Sequence, residues 1–147
     1  MTYRIWLWAA VVVLLLTALI HGMTLFIQPA AQSETERQLL ELMTTYKTDF
    51  GAGFKRSTKE LVTALSSCFS LVCLLGGLTL AYLARRRVDE RTLKGVLGVH
   101  VLVFGICFGI MVVFTFLPPI VLTGLSFLLL SITYFLIPRH AEAGLKV

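Results

Sequence analysis

Four uninterrupted apolar runs constrain this chain more than any other feature of its sequence. They are Ile5–Ile27, Leu61–Ala84, Val96–Leu117 and Ile120–Ile137, and none contains Asp, Glu, Lys or Arg. A run of about 20 apolar residues is long enough to cross the hydrocarbon core of a bilayer. Backbone amides in lipid must be satisfied within the segment, so each run is predicted to be a helix. We expect an all-α membrane protein with four transmembrane helices in an antiparallel bundle.

Composition supports this class, because a chain with 57% hydrophobic and 14% charged residues is too apolar for a soluble domain. The first run is longer than a signal-peptide core and has no clean cleavage site after it, which favours an uncleaved helix. The prediction is a single membrane domain over residues 1–147. Its segments are transmembrane helices at 5–27, 61–84, 96–117 and 120–137, an outer loop at 28–60, a basic cytoplasmic loop at 85–95 and a cytoplasmic tail at 138–147.

The distribution of basic residues predicts the orientation. Eight of the 13 Lys and Arg residues fall on one side if both termini and the second loop are cytoplasmic. We therefore expect both termini inside, with the net charge of +5 attracted to anionic membrane lipids rather than to nucleic acid. The cluster Arg85, Arg86 and Arg87 follows the second helix and is predicted to contact lipid headgroups.

The loop between the first two helices carries two local helix-start signals. Ser33 with Glu36 has the spacing of a capping box, and Ser57 with Glu60 repeats it just before the second membrane helix. Between them we expect an amphipathic helix on the membrane or over the outer end of the bundle. It is ended by Gly51–Gly53. Its predicted apolar face comprises Leu39, Leu42, Met43, Tyr46 and Phe50.

Two ridges of small side chains indicate close helix packing, since small residues let backbones approach each other in lipid. The ridge on the third helix comprises Gly95, Gly98, Gly105 and Gly109. The ridge on the second comprises Thr63, Ser66, Ser70, Cys73 and Gly77. We expect the two ridges to face each other; the alternative is that one of them faces another subunit. Pro118–Pro119 joins the last two helices, which predicts a tight antiparallel hairpin with proline in its first turn.

A polar stripe on the first helix is the sharpest candidate for a ligand site. It comprises Thr17, His21, Thr24 and Gln28, spaced by four, three and four residues. Such a stripe is predicted to face the bundle interior or a cavity, with Tyr46 and Phe50 at its mouth. His21 could hold haem or a metal or transfer protons, or it could be a neutral residue hydrogen-bonded to a neighbouring helix.

Signatures of catalysis are missing from the sequence. The three cysteines all fall within predicted spans and form no C-x-x-C pair. There is no P-loop, H-E-x-x-H or G-x-S-x-G motif, and the spans contain no carboxylate. The sequence therefore favours a protein without enzymatic activity.

Three short strings resemble a family of small uncharacterised bacterial membrane proteins with four helices. They are His21–Gly22, the loop Phe50–Phe54 followed by Arg56–Ser57, and Phe116–Pro119. The resemblance implies bacterial origin, a location in the inner membrane and a shared architecture. It implies no catalytic residue, because that family has no assigned activity.

Three functional hypotheses follow. The first is an accessory or assembly subunit of a larger membrane complex, or a homo-oligomer, that works by helix packing. The second is a binding protein or enzyme for a lipophilic molecule such as a quinone, sterol or lipid, with its pocket at His21. The third is a haem-bearing subunit with His21 or His100 as axial ligand, so haem and a quinone are the cofactors left open.

Overall fold

The computed structural model describes residues 2–27 and 30–138 and is almost entirely helical. The elements in chain order are α1 (Thr2–Thr24), α2 (Glu34–Thr45), β1 (Lys47–Asp49), β2 (Lys55–Ser57), α3 (Thr58–Arg86), α4 (Glu90–Phe114) and α5 (Leu117–Leu136). Gln28 and the tail from residue 139 onward lie outside the described residues.

Four of these helices are long and apolar enough to cross a membrane, which confirms the predicted number of membrane-spanning helices. Their apolar stretches are Tyr3–Met23, Thr58–Arg86, Glu90–Phe114 and Leu117–Leu136. The chain therefore has the features of a multi-pass membrane protein. Helix α3 extends beyond its uncharged run at both ends, and α4 begins six residues before its run, at Glu90. Helices α1 and α4 each end three residues before their predicted limits, at Thr24 and Phe114.

The chain divides into two compact units, one of Met1–Thr17 with Cys73–Val147 and the other of Ala18–Val72. In the first unit, α1 buries one stripe of its surface. A methyl group placed on Gly77 of α3 would lie 2.8 Å from Cδ2 of Leu15 and 3.4 Å from Cβ of Leu14. Gly77 thus leaves room on α3 for the side chains of Leu14 and Leu15 of α1. The buried residues of α1 in this unit are Leu7, Ala10, Val11, Leu14 and Thr17.

Helices α4 and α5 form the most intimate pair of the first unit. Gly98 lies against Tyr134, Gly105 against Phe127 and Phe108 against Gly124, so contacts ascend along one helix as they descend along the other. The pair is therefore an antiparallel hairpin. Proline lies in the first turn of α5, as the sequence predicted. Two glycines of α4 and one glycine of α5 lie against aromatic rings of the partner helix. The rings of Phe108 and Phe127 also stack, with centroids 6.2 Å apart.

The second unit contains a feature that the sequence did not predict, a small antiparallel hairpin of β1 and β2. Lys47 pairs with Ser57 and Asp49 with Lys55. The turn between the strands has Gly51, Ala52 and Gly53 at φ values of 85°, 51° and 83°. Glycine tolerates this left-handed region best, which explains why two of the three turn residues are glycine.

The predicted C-terminal end of α2 is wrong, because the hairpin begins where the helix was expected to continue to Phe50. This helix ends at Thr45, Tyr46 is its C-cap, and Phe50 lies in the hairpin turn rather than on the helix. Two consecutive threonines bond back to the helix, with Thr44 and Thr45 donating to the carbonyls of Leu40 and Glu41. Residues Lys47–Asp49 instead pair with β2, so the predicted apolar face is broken before Phe50.

Both predicted capping signals are confirmed. Ser33 Oγ accepts the Glu36 N–H at 3.2 Å at the start of α2. At the start of α3 the box is reciprocal, because Ser57 Oγ accepts the Glu60 N–H at 3.3 Å and Glu60 Oε2 accepts the Ser57 N–H at 2.7 Å.

A pH-dependent cap begins α4. Asp89 Oδ1 accepts the Thr92 N–H at 2.9 Å, and this hydrogen bond holds the pKa of Asp89 below its ordinary value. A lowered pKa in the folded state means that the cap stabilises α4 above the unfolded pKa of about 3.9 and weakens as pH falls toward the folded value. We expect the NMR shift of the Thr92 amide to titrate with a midpoint below about 3.9.

Asp89→Asn is the matched control for this titration, because asparagine caps a helix without ionising. Its Thr92 amide should not change through the same range of pH. A wild-type midpoint at or above the ordinary aspartate value would contradict the capping geometry.

Candidate functional site

The described residues of the polar stripe on α1 do not form one continuous site. Thr17 is buried and its hydroxyl donates to the Val13 carbonyl of its own helix at 2.8 Å. His21 is partly exposed and meets the Phe69 ring edge-on, with ring centroids 5.0 Å apart. Thr24 ends α1, and Gln28 lies outside the described residues. The ligand pocket at His21 therefore stays a prediction.

The two residues predicted at the mouth of that pocket are instead solvent-exposed in the loop. Tyr46 is 68% exposed and Phe50 is 59% exposed. Phe50 is held by the hairpin turn, where its N–H donates to the Phe54 carbonyl at 2.9 Å. Both residues are thus available to a membrane surface or a partner.

The predicted pairing of the two small-residue ridges is wrong. Gly98 and Gly105 of α4 lie against aromatic rings of α5, and Gly77 of α3 lies against α1. The glycine of α3 that receives α4 is Gly76, where an added methyl group would lie 3.4 Å from Phe104 and 3.5 Å from His100. Ridge spacing predicts where a close approach is allowed, but it does not specify which side chain fills the groove.

The other members of the α3 ridge have local roles. Ser70 donates to the Ser66 carbonyl at 3.1 Å. A methyl group on Gly22 of α1 would lie 4.0 Å from Ser70 Oγ, so the ridge faces α1 at this level. Cys73 is fully buried.

Two glycines of α4 remain open. No described atom lies within 4 Å of a methyl group placed on Gly95 or Gly109. These two residues belong to a stripe with steps of four and three residues, the spacing of one face of a packed helix. We call this stripe the open face of α4. Its members are Gly95, Val99, Leu102, Ile106, Gly109 and Val113.

The arginine cluster ends α3 with a specific backbone geometry. Arg87 has a φ of 52°, and the Val88 N–H donates back to the Leu83 carbonyl at 3.4 Å. This is the C-terminal motif in which a left-handed residue follows the last turn. The Arg86 guanidinium lies 5.5 Å from the centre of the Tyr82 ring. Arg85, Arg86 and Arg87 are all exposed, and their contact with lipid headgroups stays a prediction.

Several polar contacts of α5 were missed by sequence reasoning. Lys94 of α4 donates to the Ile137 carbonyl at 2.5 Å, which satisfies one of the free carbonyls at the end of α5. Three buried hydroxyls of α5 donate back to carbonyls one turn earlier: Thr123, Ser126 and Thr133. Their spacing of three and seven residues was the available signal, since it places them on one face of a helix.

A cleft in the second unit brings polar groups together where α2, the hairpin and α3 meet. Its volume is about 460 Å³. Of the residues predicted as ligand-binding, Thr17, His21, Tyr46 and Phe50 are described with their side chains, and none of these four lines it. The lining residues are Thr44, Lys47, Ser57, Lys59, Glu60, Thr63 and Ala64.

The described residues contain no cluster of three His, Cys, Asp or Glu side chains that could hold a metal ion. Comparison of the chain with protein-family models, curated sequences and solved structures finds no match. The resemblance to a small bacterial family therefore stays a prediction.

Proposed function

We propose that this chain is an integral membrane subunit that works by packing its helices against another membrane protein or a second copy of itself. The observation that carries the proposal is the two-sided glycine pattern of α4. Aromatic rings of α5 occupy the space beside one pair of glycines, Gly98 and Gly105. The other pair, Gly95 and Gly109, lies on the open face.

The open face has the composition of a helix interface. Its four branched or aliphatic side chains are between 59% and 70% exposed: Val99, Leu102, Ile106 and Val113. In lipid, burial of such side chains alone gives no net attraction, because lipid tails are as apolar as leucine. Glycines in the same stripe change this balance, since they admit a second backbone and increase dispersion contacts. These features support a transmembrane helix as the occupant of the open face.

The rest of the proposed arrangement follows from the sequence. We propose a single membrane domain with its four spanning helices in an antiparallel bundle and both termini in the cytoplasm. The proposed location is a bacterial inner membrane. The exposed apolar residues Leu39 and Leu42 support an amphipathic role for α2 at the outer surface.

Photo-crosslinking in native membranes tests the proposal. A photoreactive amino acid replaces Leu102 on the open face in one variant and Leu71 of α3 in a control variant. The two side chains are similarly exposed, at 64% for Leu102 and 61% for Leu71. We expect Leu102 to give a protein adduct of discrete mass, and Gly109→Leu to abolish that adduct by filling the groove. Lipid adducts alone at Leu102, of the kind expected at Leu71, would overturn the proposal.

A further inference from the structure

We infer that the hairpin of residues 46–57 binds the surface of an anionic bilayer, with aromatic residues in the headgroup layer and lysines on lipid phosphates. We call this segment the interfacial hairpin. It is distinct from the helix-packing role proposed above and does not depend on it.

Covalent continuity fixes the hairpin near the membrane. Strand β2 ends at Ser57 and α3, a spanning helix, begins at Thr58. At about 3.3 Å per residue, Phe54 lies no more than about 13 Å along the chain from the start of α3. The uncharged run begins at Leu61, within the first turn of that helix. The interfacial hairpin therefore lies within reach of the headgroups.

The side chains of the hairpin combine two properties of interfacial anchors. Three aromatic residues, Tyr46, Phe50 and Phe54, are between 59% and 68% exposed. Aromatic rings concentrate at the boundary between lipid and water. Arg56 lies with its guanidinium carbon 6.0 Å from the centre of the Phe54 ring, so a cation accompanies the ring at the tip.

The charge of the segment is complementary to an anionic surface. Residues 46–57 carry three basic side chains and one acidic side chain, and Lys59 follows in the first turn of α3. Asp49 lies 4.0 Å from Lys55. Among the described residues, no carboxylate lies within ion-pair distance of Lys47, Arg56 or Lys59. Glu60, which lines the same cleft as the two lysines, interacts electrostatically with Lys47 and Arg56 over a longer distance.

The cleft beside the hairpin provides a place for a phosphate group. Lys47 and Lys59 both line it, together with the hydroxyl-bearing residues Thr44 and Thr63. The reciprocal capping box already occupies Ser57 and Glu60 at the start of α3. The lysines, rather than the end of the helix, are thus the groups that would attract the phosphate.

Native mass spectrometry of the full chain with phosphatidylglycerol or phosphatidylcholine tests the charge complementarity. We expect phosphatidylglycerol to bind preferentially, and Lys47→Gln and Lys59→Gln each to weaken its binding about fivefold. Arg37→Gln is the matched control, because it removes the same charge from a side chain already paired with Glu34 at 2.6 Å. Equal losses in all three variants, or no preference between the lipids, would overturn the inference.

Inorganic phosphate distinguishes a bilayer from a free anion as the ligand. Phosphatidylglycerol would contact both the lysines and the aromatic residues, whereas inorganic phosphate would contact only the lysines. We therefore expect that inorganic phosphate does not displace the bound phosphatidylglycerol. Displacement would show that the cleft takes free phosphate and would overturn the assignment to lipid.

Spin-label accessibility in nanodiscs tests insertion of the aromatic residues. In a background without native cysteine, nitroxides replace Phe50 or Phe54, with Glu41 on the polar side of α2 as control. We expect the first two to collide more with oxygen than with a water-soluble nickel chelate, and Glu41 to show the reverse. Labels at Phe50 and Phe54 that are accessible to the nickel chelate in nanodiscs would overturn the inference. This holds even if a protein partner covers these two residues in native membranes, because the occupant would then be a protein rather than lipid.

Discussion

Placing a methyl group on Gly105 or Gly124 is expected to destabilise the α4–α5 hairpin by about 1–3 kcal/mol for each substitution. The new methyl carbon of Gly105→Ala would lie 3.0 Å from Cε2 of Phe127, and that of Gly124→Ala 2.9 Å from Cε2 of Phe108. Each ring also stacks on the other, with centroids 6.2 Å apart, so a shift of one ring disturbs the contact of both. Steric trapping in bicelles measures the free energy of unfolding of each variant.

The same helix provides the control for this prediction. Gly109→Ala adds the same methyl group where no described atom lies within 4 Å, so its free energy of unfolding should stay the same or rise slightly. The double variant at Gly105 and Gly124 should lose less than the sum of the single losses, because both methyl groups displace the same ring pair. Equal effects of Gly105→Ala and Gly109→Ala would contradict the glycine–aromatic packing.

Leu14→Ala is expected to destabilise the protein by about 2 kcal/mol or more, the lower part of the range for buried leucines. Leu14 is 0% exposed and packs at the contact of α1 with Gly77 of α3. Lipid is as apolar as the protein interior, so little of the loss comes from transfer. Most of it comes from dispersion contacts that the resulting cavity no longer provides.

Leu16→Ala is the matched control, two residues further along α1 and 46% exposed. Lipid tails can fill the space that this substitution leaves, so its effect should stay within about 0.5 kcal/mol. Thermal unfolding in one lipid or detergent would compare the two variants. Similar losses for both would show that Leu14 does not lie in a packed core.

Local signals of the sequence predicted local structure well. Ser33 and Ser57 marked the starts of α2 and α3, because a capping box is made within four consecutive residues. Uncharged runs marked the four spanning helices, since the cost of burying backbone amides in lipid leaves few alternatives.

Contacts between helices were not predictable in the same way. The glycines of α4 indicated close approach, but the partner depends on which distant ring fills each groove, as Phe127 does at Gly105. The β1–β2 hairpin was missed because its strands have three residues each, and only Ser57 among them is buried. Without a buried face, alternation of apolar and polar residues gives no signal. The clearest available signal was the turn Gly51–Gly53.

The mass of the complex extracted from native membranes tests the central proposal most directly. The tagged protein, expressed at its native level, would be extracted in mild detergent and weighed by native mass spectrometry, with an absorption spectrum of the same sample. We predict a defined stoichiometry with other membrane subunits or with further copies of the chain, and loss of that assembly in Gly109→Leu. A monomer carrying one defined lipophilic molecule or haem, lost in His21→Ala, would contradict the proposal.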